Sequence, residues 1–243
     1  MNDEDGIQFV LLKMLQTPTL NDDLVAECLH ILGLLVSHGK FCWIVPILFY
    51  FINACLPGDN DRRFLNPPYE CQKSVVAVME QRLQSAQIQL EACCFFANAS
   101  CSLGVQALLA SLSERPMLVH QHLLNAMRQH MDVVEIQRHA CRALSNLVIR
   151  GDNKSLFVHE PFQAHSAVLA AMRKYPAHAD IQRRGCSFIA TLSLKVENVP
   201  TLLAPGNMAH EVILRAMQRF PNNCSLQRNG CLAITSWTTN RTS

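Results

Sequence analysis

The chain has 243 residues, 49% of them hydrophobic and 16% charged, with a formal net charge of +2. Such a chain can bury a large core, and no Gly/Ser-rich or Pro-rich tract divides it, so one continuous domain over residues 1–243 is expected. The near-neutral balance argues against a general phosphate-backbone binder, which needs a pronounced cationic face, so nucleic acid is not an expected partner.

A ruler runs through the chain. Five methionines are each followed fourteen residues later by a cysteine: Met14/Cys28, Met79/Cys93, Met127/Cys141, Met172/Cys186 and Met217/Cys231. From nine methionines and eleven cysteines chance would give about 0.4 such pairs, so the recurrence marks an internal repeat. The Met-to-Met steps are 65, 48, 45 and 45 residues. This predicts units at about 1–37, 38–99, 100–149, 150–194 and 195–238, a tail at 239–243, and an insertion in the second unit at about 41–70.

The chain starts on an acidic stretch, Met1 to Gly6, without the basic region of a signal peptide. Next comes the most apolar run, Phe41 to Leu56, sixteen residues long and interrupted by Pro46. It is shorter than the ~20 residues needed to cross hydrocarbon, so no transmembrane span is expected. Its aromatics, Phe41, Trp43, Phe49, Tyr50 and Phe51, are expected to fill the first core or cap the N-terminal end, with a partner or lipid anchor as the alternative. Pro57 to Glu70 reads as an exposed, mobile loop.

From there on each unit carries two amphipathic helices. The first contains the methionine, as in LLNAMRQHM, VLAAMRKYP and ILRAMQRFP, and stops at basic residues followed by Pro176 or Pro221. A polar link follows, AHAD or NNCS, in which Asp180 or Ser225 is the expected acceptor for the orphan N–H groups of the next helix. The second helix opens with a repeated phrase, from Ile88, Ile136, Ile181 and Leu226, that places Gln89, Gln137, Gln182 and Gln227 in register. A partly buried amide must find hydrogen bonds, so a structural role for this glutamine ladder is favoured over contact with a partner's backbone. Ala or Gly just before each of the last four period-marking cysteines predicts tight helix packing, and the thiols read as small core residues. Equivalent thiols in stacked helices lie about 10 Å apart, too far to bridge. A reducing cytoplasm, or the nucleus, fits that usage. The Asn-x-Ser/Thr matches at Asn98, Asn153, Asn223 and Asn240 are read as accidental.

No enzyme signature is present: no GxxxxGK[ST] loop, GxSxG elbow or HExxH motif. His120, His122 and His130 form the densest histidine group, but two residues apart on a helix point to different faces, and Cys93-Cys94 lacks CxxC spacing. No catalytic residue, cofactor or metal is expected.

The segment Ile136 to Leu147, IQRHACRALSNL, is similar to the third helix of the armadillo repeat. The methionine helix ending in basic residues and Pro, followed by a Gln-x-x-Gly/Ala-Cys phrase, particularly resembles the armadillo region of leucine-rich-repeat kinases, over about residues 71–238 and more weakly over 7–37. The resemblance implies an all-α, right-handed superhelix of three-helix units whose third helices line a concave groove for extended peptides. In nuclear-import armadillo proteins that groove carries a Trp and an Asn one turn apart. Here Asn98 and Asn146 keep the Asn, Thr191 and Ser236 replace it, and Cys94, Arg142, Ser187 and Leu232 stand at the Trp position, so basic import signals are not expected ligands. Arg138, Arg183 and Arg228 recur at one level of the third helices. With Arg142, Asn98 and Asn146 they form the expected groove site, suited to an acidic protein or peptide segment; the plainer reading is a solvated helix face. The implied function is a non-enzymatic interaction scaffold, with a regulatory segment of a larger signalling protein such as a kinase as the alternative. The last helix ends without a polar capping unit, so Trp237 is expected to pack on a further unit, and copies could associate there.

Overall fold

The computed structural model describes residues 6–17, 19–36, 71–101, 119–149 and 153–239. The expected insertion, with its aromatic run and Pro-rich loop, lies outside the described residues. Those described form twelve α-helices and no strand: α1 (Gly6–Leu15), α2 (Asp22–Val36), α3 (Cys71–Gln81), α4 (Ala86–Ala99), α5 (Val119–Gln129), α6 (Val134–Leu147), α7 (Asn153–Leu156), α8 (Ala164–Lys174), α9 (Ala179–Ser193), α10 (Val199–Leu203), α11 (Ala209–Arg219) and α12 (Cys224–Thr239). A 3-10 turn, Val196–Asn198, leads into α10.

The helices stack in two rows. The methionine helices α1, α3, α5, α8 and α11 form one row, and the cysteine helices α2, α4, α6, α9 and α12 the other. Successive cysteine helices approach each other far more closely than successive methionine helices do, so the array bends with the cysteine row on its inner side. One hydrophobic core runs from Leu11 to Trp237 through every unit. This is an armadillo-type α-solenoid, each unit burying its apolar stripe against the next.

The ruler has a packing explanation. A Cβ at Gly185 would overlap Met172 Sδ, and one at Gly230 would overlap Met217 Sδ. The methionine therefore fills the notch that glycine leaves one residue before the cysteine. Cys186 is buried beside that notch, Cys93 and Cys141 are buried after Ala92 and Ala140, and burial pushes the Cys141 and Cys186 thiols up to about 12. A buried thiol held in its protonated form packs as a small apolar side chain.

The glutamine ladder is a clamp that joins the two rows. Gln89 Nε2 donates to the carbonyls of Met79 and Arg82 at 2.9 and 3.1 Å. Gln137 repeats this on Met127 and His130 at 3.0 and 3.1 Å. Gln182 takes Met172 and Tyr175 at 2.7 and 3.0 Å, and Gln227 takes Met217 and Phe220 at 2.8 and 3.1 Å. Each amide thus bonds the carbonyl of the methionine, in the last turn of its helix, and adds a second donor to a carbonyl three residues on that already accepts a backbone N–H. The expected N-caps need correction. His178 Nδ1, not Asp180, accepts from the Ile181 N–H at 3.4 Å, and Asn223 Oδ1, not Ser225, accepts from the Leu226 N–H at 3.1 Å. Cap geometry selects the residue just outside the helix, and Asp180 sits inside the first turn.

Buried histidines set the acid limb of stability. Burial, then the neighbouring His122, lowers His120 to about 4, and burial, then Arg138, lowers His139 to about 4. Between about pH 6.5 and 4 the unfolded chain binds protons that these two groups refuse when folded, so stability falls with acidification by about 1.4 kcal/mol per pH unit for each histidine. Cys141 and Cys186 act at the other end: the unfolded thiols ionise above pH 9 and the folded ones do not, so stability also falls as pH rises from about 9. Urea unfolding should therefore give a maximum midpoint between about pH 6.5 and 9; a midpoint as high at pH 5 as at pH 7.5 would contradict it.

Candidate functional site

The outward face of the inner row carries the sequence-predicted groove residues, and the structure divides them into two groups. Asn98 (on α4), Arg142 and Asn146 (both on α6) join neighbouring helices. Asn98 Nδ2 donates to the Gly33 carbonyl at 3.2 Å, and its Oδ1 accepts from Arg142 Nη1 at 3.2 Å. Arg142 Nη2 lies 3.1 Å from Cys101 Sγ, and Asn146 Nδ2 donates to Ser100 Oγ at 3.1 Å. These bonds tie α2, α4 and α6 into one ladder along the inner face.

Arg138, Arg183 and Arg228 form the second group, strung over α6, α9 and α12. Arg138 Nε donates to Glu135 Oε2 at 2.7 Å, and Arg183 Nη2 to Asp180 Oδ1 at 2.6 Å, each an i,i+3 pair. Arg228 is exposed and has no ion-pair partner among the described residues, because Ser225 stands where the others have an acid. Arg183 first, helped by Arg184 and Arg138, holds the Asp180 carboxyl below the usual carboxylate range. The charges of α6 and α9 therefore lie within reach of one another.

Two features escaped sequence reasoning. Arg184 is half-buried on this face and its Nε has no hydrogen-bond partner among the described residues. Burial lowers its pKa, and the nearby Arg183 and Arg142 charges push it the same way. The Arg183-Arg184 doublet was the available signal, since the other units place His139 and Asn229 at the second position. The other feature is a histidine ladder at 45-residue steps, His120, His165 and His210, near the starts of α5, α8 and α11. Each inner histidine receives the following unit: His120 stacks edge-on against Phe162, centroids 4.4 Å apart, and His165 Nε2 meets Asn207 Nδ2 at 3.0 Å. The ladder is a stacking device.

The surroundings of Trp237 differ from the expectation. That indole is buried and donates from Nε1 to Ser193 Oγ at 2.9 Å, so it packs back on α9. The free surface beside it belongs to Leu214, 45% exposed where its counterpart Leu169 is fully buried, and to exposed Cys231, whose counterpart Cys186 is buried. His210, Leu214, Ile234 and Trp237 help line a pocket of about 280 Å³ there.

Among the described residues no helix is long and apolar enough to cross a membrane. No curated protein and no solved structure matches the chain. A family model described as LRRK2 ARM repeat matches residues 100–242, the stretch holding α5 to α12, and α1 to α4 continue the same two-row stacking ahead of it. The matched span, the all-helical solenoid and the recurring methionine, glutamine and cysteine positions agree: the chain belongs to the LRRK2 ARM repeat family, a non-catalytic helical-repeat fold.

Proposed function

We propose that this chain is a non-enzymatic protein-interaction scaffold whose inner face takes an extended acidic segment of a partner protein. The carrying observation is the crowding of Arg142, Arg183 and Arg184 across α6 and α9, with Arg184 Nε unpartnered among the described residues. Glu135 and Asp180 neutralise only Arg138 and Arg183, which leaves a cationic excess continuing toward Arg228. Guanidinium forks suit carboxylates, and a rigid array holds such contacts at fixed spacing, so affinity accumulates along the groove. Proximity labelling with the wild type beside the Arg138→Glu/Arg183→Glu/Arg228→Glu variant tests this. Groove partners should drop about tenfold or more, equivalent to 1.4 kcal/mol, while circular dichroism is unchanged; an identical partner set from a folded variant removes the reading.

A second reading, supported by the match to the LRRK2 ARM repeat family, places the array within a larger signalling protein. The pocket that includes His210 repeats the surface on which His165 receives Asn207, so it suits the turn of a further helical unit. A chain carrying a second copy of residues 195–239 after Thr239 should unfold at higher urea and protect Cys231 from alkylation. Equal alkylation of Cys231 with and without the added unit would sink it.

A further inference from the structure

At two successive junctions each methionine helix is tied to the turn of the preceding unit by the side chains two and three residues past its methionine. Gln129 Nε2 donates to Gln84 Oε1 at 3.0 Å, and His130 Nε2 to the Leu83 carbonyl at 2.8 Å. One unit on, Lys174 pairs with Asp132, and the Tyr175 hydroxyl donates to the Met131 carbonyl at 2.9 Å. The targets are in register: Gln84 and Leu83 correspond to Asp132 and Met131, and in the next unit to Ala177 and Pro176. At that last junction the donors become Arg219 and Phe220. Neither tie can form, because Ala177 has no side-chain acceptor and a phenyl ring has no hydroxyl.

A cleft of about 530 Å³ opens where the ties are missing, lined by Arg173, Arg215, Arg219, Pro176, Gln182 and Val212 together with neighbouring apolar groups. No carboxylate among the described residues lines it. Arg215 is paired with Glu211 at 3.0 Å outside the lining, and Arg173 gives one N–H to the Asn207 carbonyl and keeps its charge. Arg219 is exposed, with no ion-pair partner among the described residues. Basic residues in a last helical turn usually offset the helix macrodipole, which is the plainer account of Arg173 and Arg219. At α8, however, the Gln182 amide already occupies the Met172 and Tyr175 carbonyls, so those oxygens do not use the arginines.

Among the described residues, two guanidinium charges, Arg173 and Arg219, thus remain without a neutralising carboxylate at one cleft, on the methionine row and away from the inner face. A carboxylate would meet half of that charge; a phosphorylated side chain, with up to two negative charges and three acceptor oxygens, meets all of it. We propose that the cleft between α8 and α11 binds a phosphorylated serine or threonine in a segment of a partner protein. The site depends on none of the inner-face arginines and stands or falls separately from the groove reading.

The test uses a fluorescein-labelled pentapeptide with a central phosphoserine, its unphosphorylated twin, and the full chain. Anisotropy should show the phosphopeptide binding about tenfold or more tightly than the twin. Arg173→Ala/Arg219→Ala should lose that difference, while the Arg138→Glu/Arg183→Glu/Arg228→Glu variant retains it. Arg173 and Arg219 are both exposed, so a cooperative unfolding transition is expected to persist and separates loss of the site from loss of the fold. The proposal is overturned by equal affinity for the two peptides, by phosphopeptide binding that survives the cleft variant, or by loss only in the inner-face variant. Binding to phosphatidylcholine vesicles containing phosphatidylinositol bisphosphate without binding to the phosphopeptide also overturns it, and assigns the charge to a lipid surface.

Discussion

Replacing Gln137 with leucine should lower the unfolding free energy by about 2 to 3 kcal/mol, a large effect for a substitution of similar volume. Gln137 is fully buried and its amide is the clamp on the Met127 and His130 carbonyls. The His130 carbonyl keeps the Val133 N–H as a second partner, so the main cost is the Met127 oxygen stranded at the end of α5. Leucine also removes Gln137 Oε1, which is buried without a partner, and that offsets part of the loss. Gln137→Glu should behave in a way that no cavity argument predicts. Above neutral pH it aims a buried carboxylate at two carbonyl oxygens, which raises its folded pKa above the unfolded value of about 4.3. The folded variant then holds a proton that the unfolded chain releases, so its stability falls as pH rises from about 4.3 toward the folded pKa. The variant-to-wild-type gap in urea midpoint should widen between pH 5 and 8. A gap independent of pH would mean that the amide's hydrogen bonds are not what the site supplies.

Phe157→Ala should cost about 3 to 5 kcal/mol and split the unfolding transition. Phe157 is 1% exposed and stands between two units, its ring 5.3 Å from His120 on α5 and 5.8 Å from Phe188 on α9, edge-on to both. Truncation leaves a cavity at the junction and removes the His120–Phe157–Phe188 stack, leaving the His120–Phe162 pair as a ring contact that still spans it. In an array whose cohesion is nearest-neighbour, weakening one junction lets the two sides melt apart. In a Trp43→Phe background, Trp237 fluorescence, reporting the last unit, and far-UV circular dichroism, reporting all helices, should coincide without the Phe157 change and separate with it. Coincident curves shifted by less than about 1 kcal/mol would show that the coupling runs elsewhere.

The repeat was legible because packing imposes it at every unit. A methionine must fill the space left beside Gly185 or Gly230, a thiol must be small beside it, and a glutamine must reach two carbonyls seven and ten residues behind it. Those demands are local to one helix pair, so they appear at constant spacing. The caps were less legible, since His178 and Asp180 differ by two positions and only the backbone decides which lies outside the helix. The left-handed residues Gln163 and Met208, at φ of 46° and 44°, also recur one unit apart, yet neither residue type announces that conformation. Of the candidate site, the levels of Arg138, Arg183 and Arg228 could be read from the register. Their pairing with Glu135 and Asp180, and the partnering of Asn98 and Asn146 across helices, could not.

By itself the sequence determined the repeat, its two amphipathic helices, the buried thiols and the glutamine register, because each follows from contacts between residues at most fourteen apart in the chain. Only the tertiary structure decided which polar groups are already occupied. Arg142 meets Asn98, Trp237 meets Ser193 and Lys174 meets Asp132, all 42 to 44 residues apart, where a partner is set by how one unit stacks on the next. A single substitution in that stacking register, such as Ala177 for the acid at Asp132, separates a closed junction from an open basic cleft.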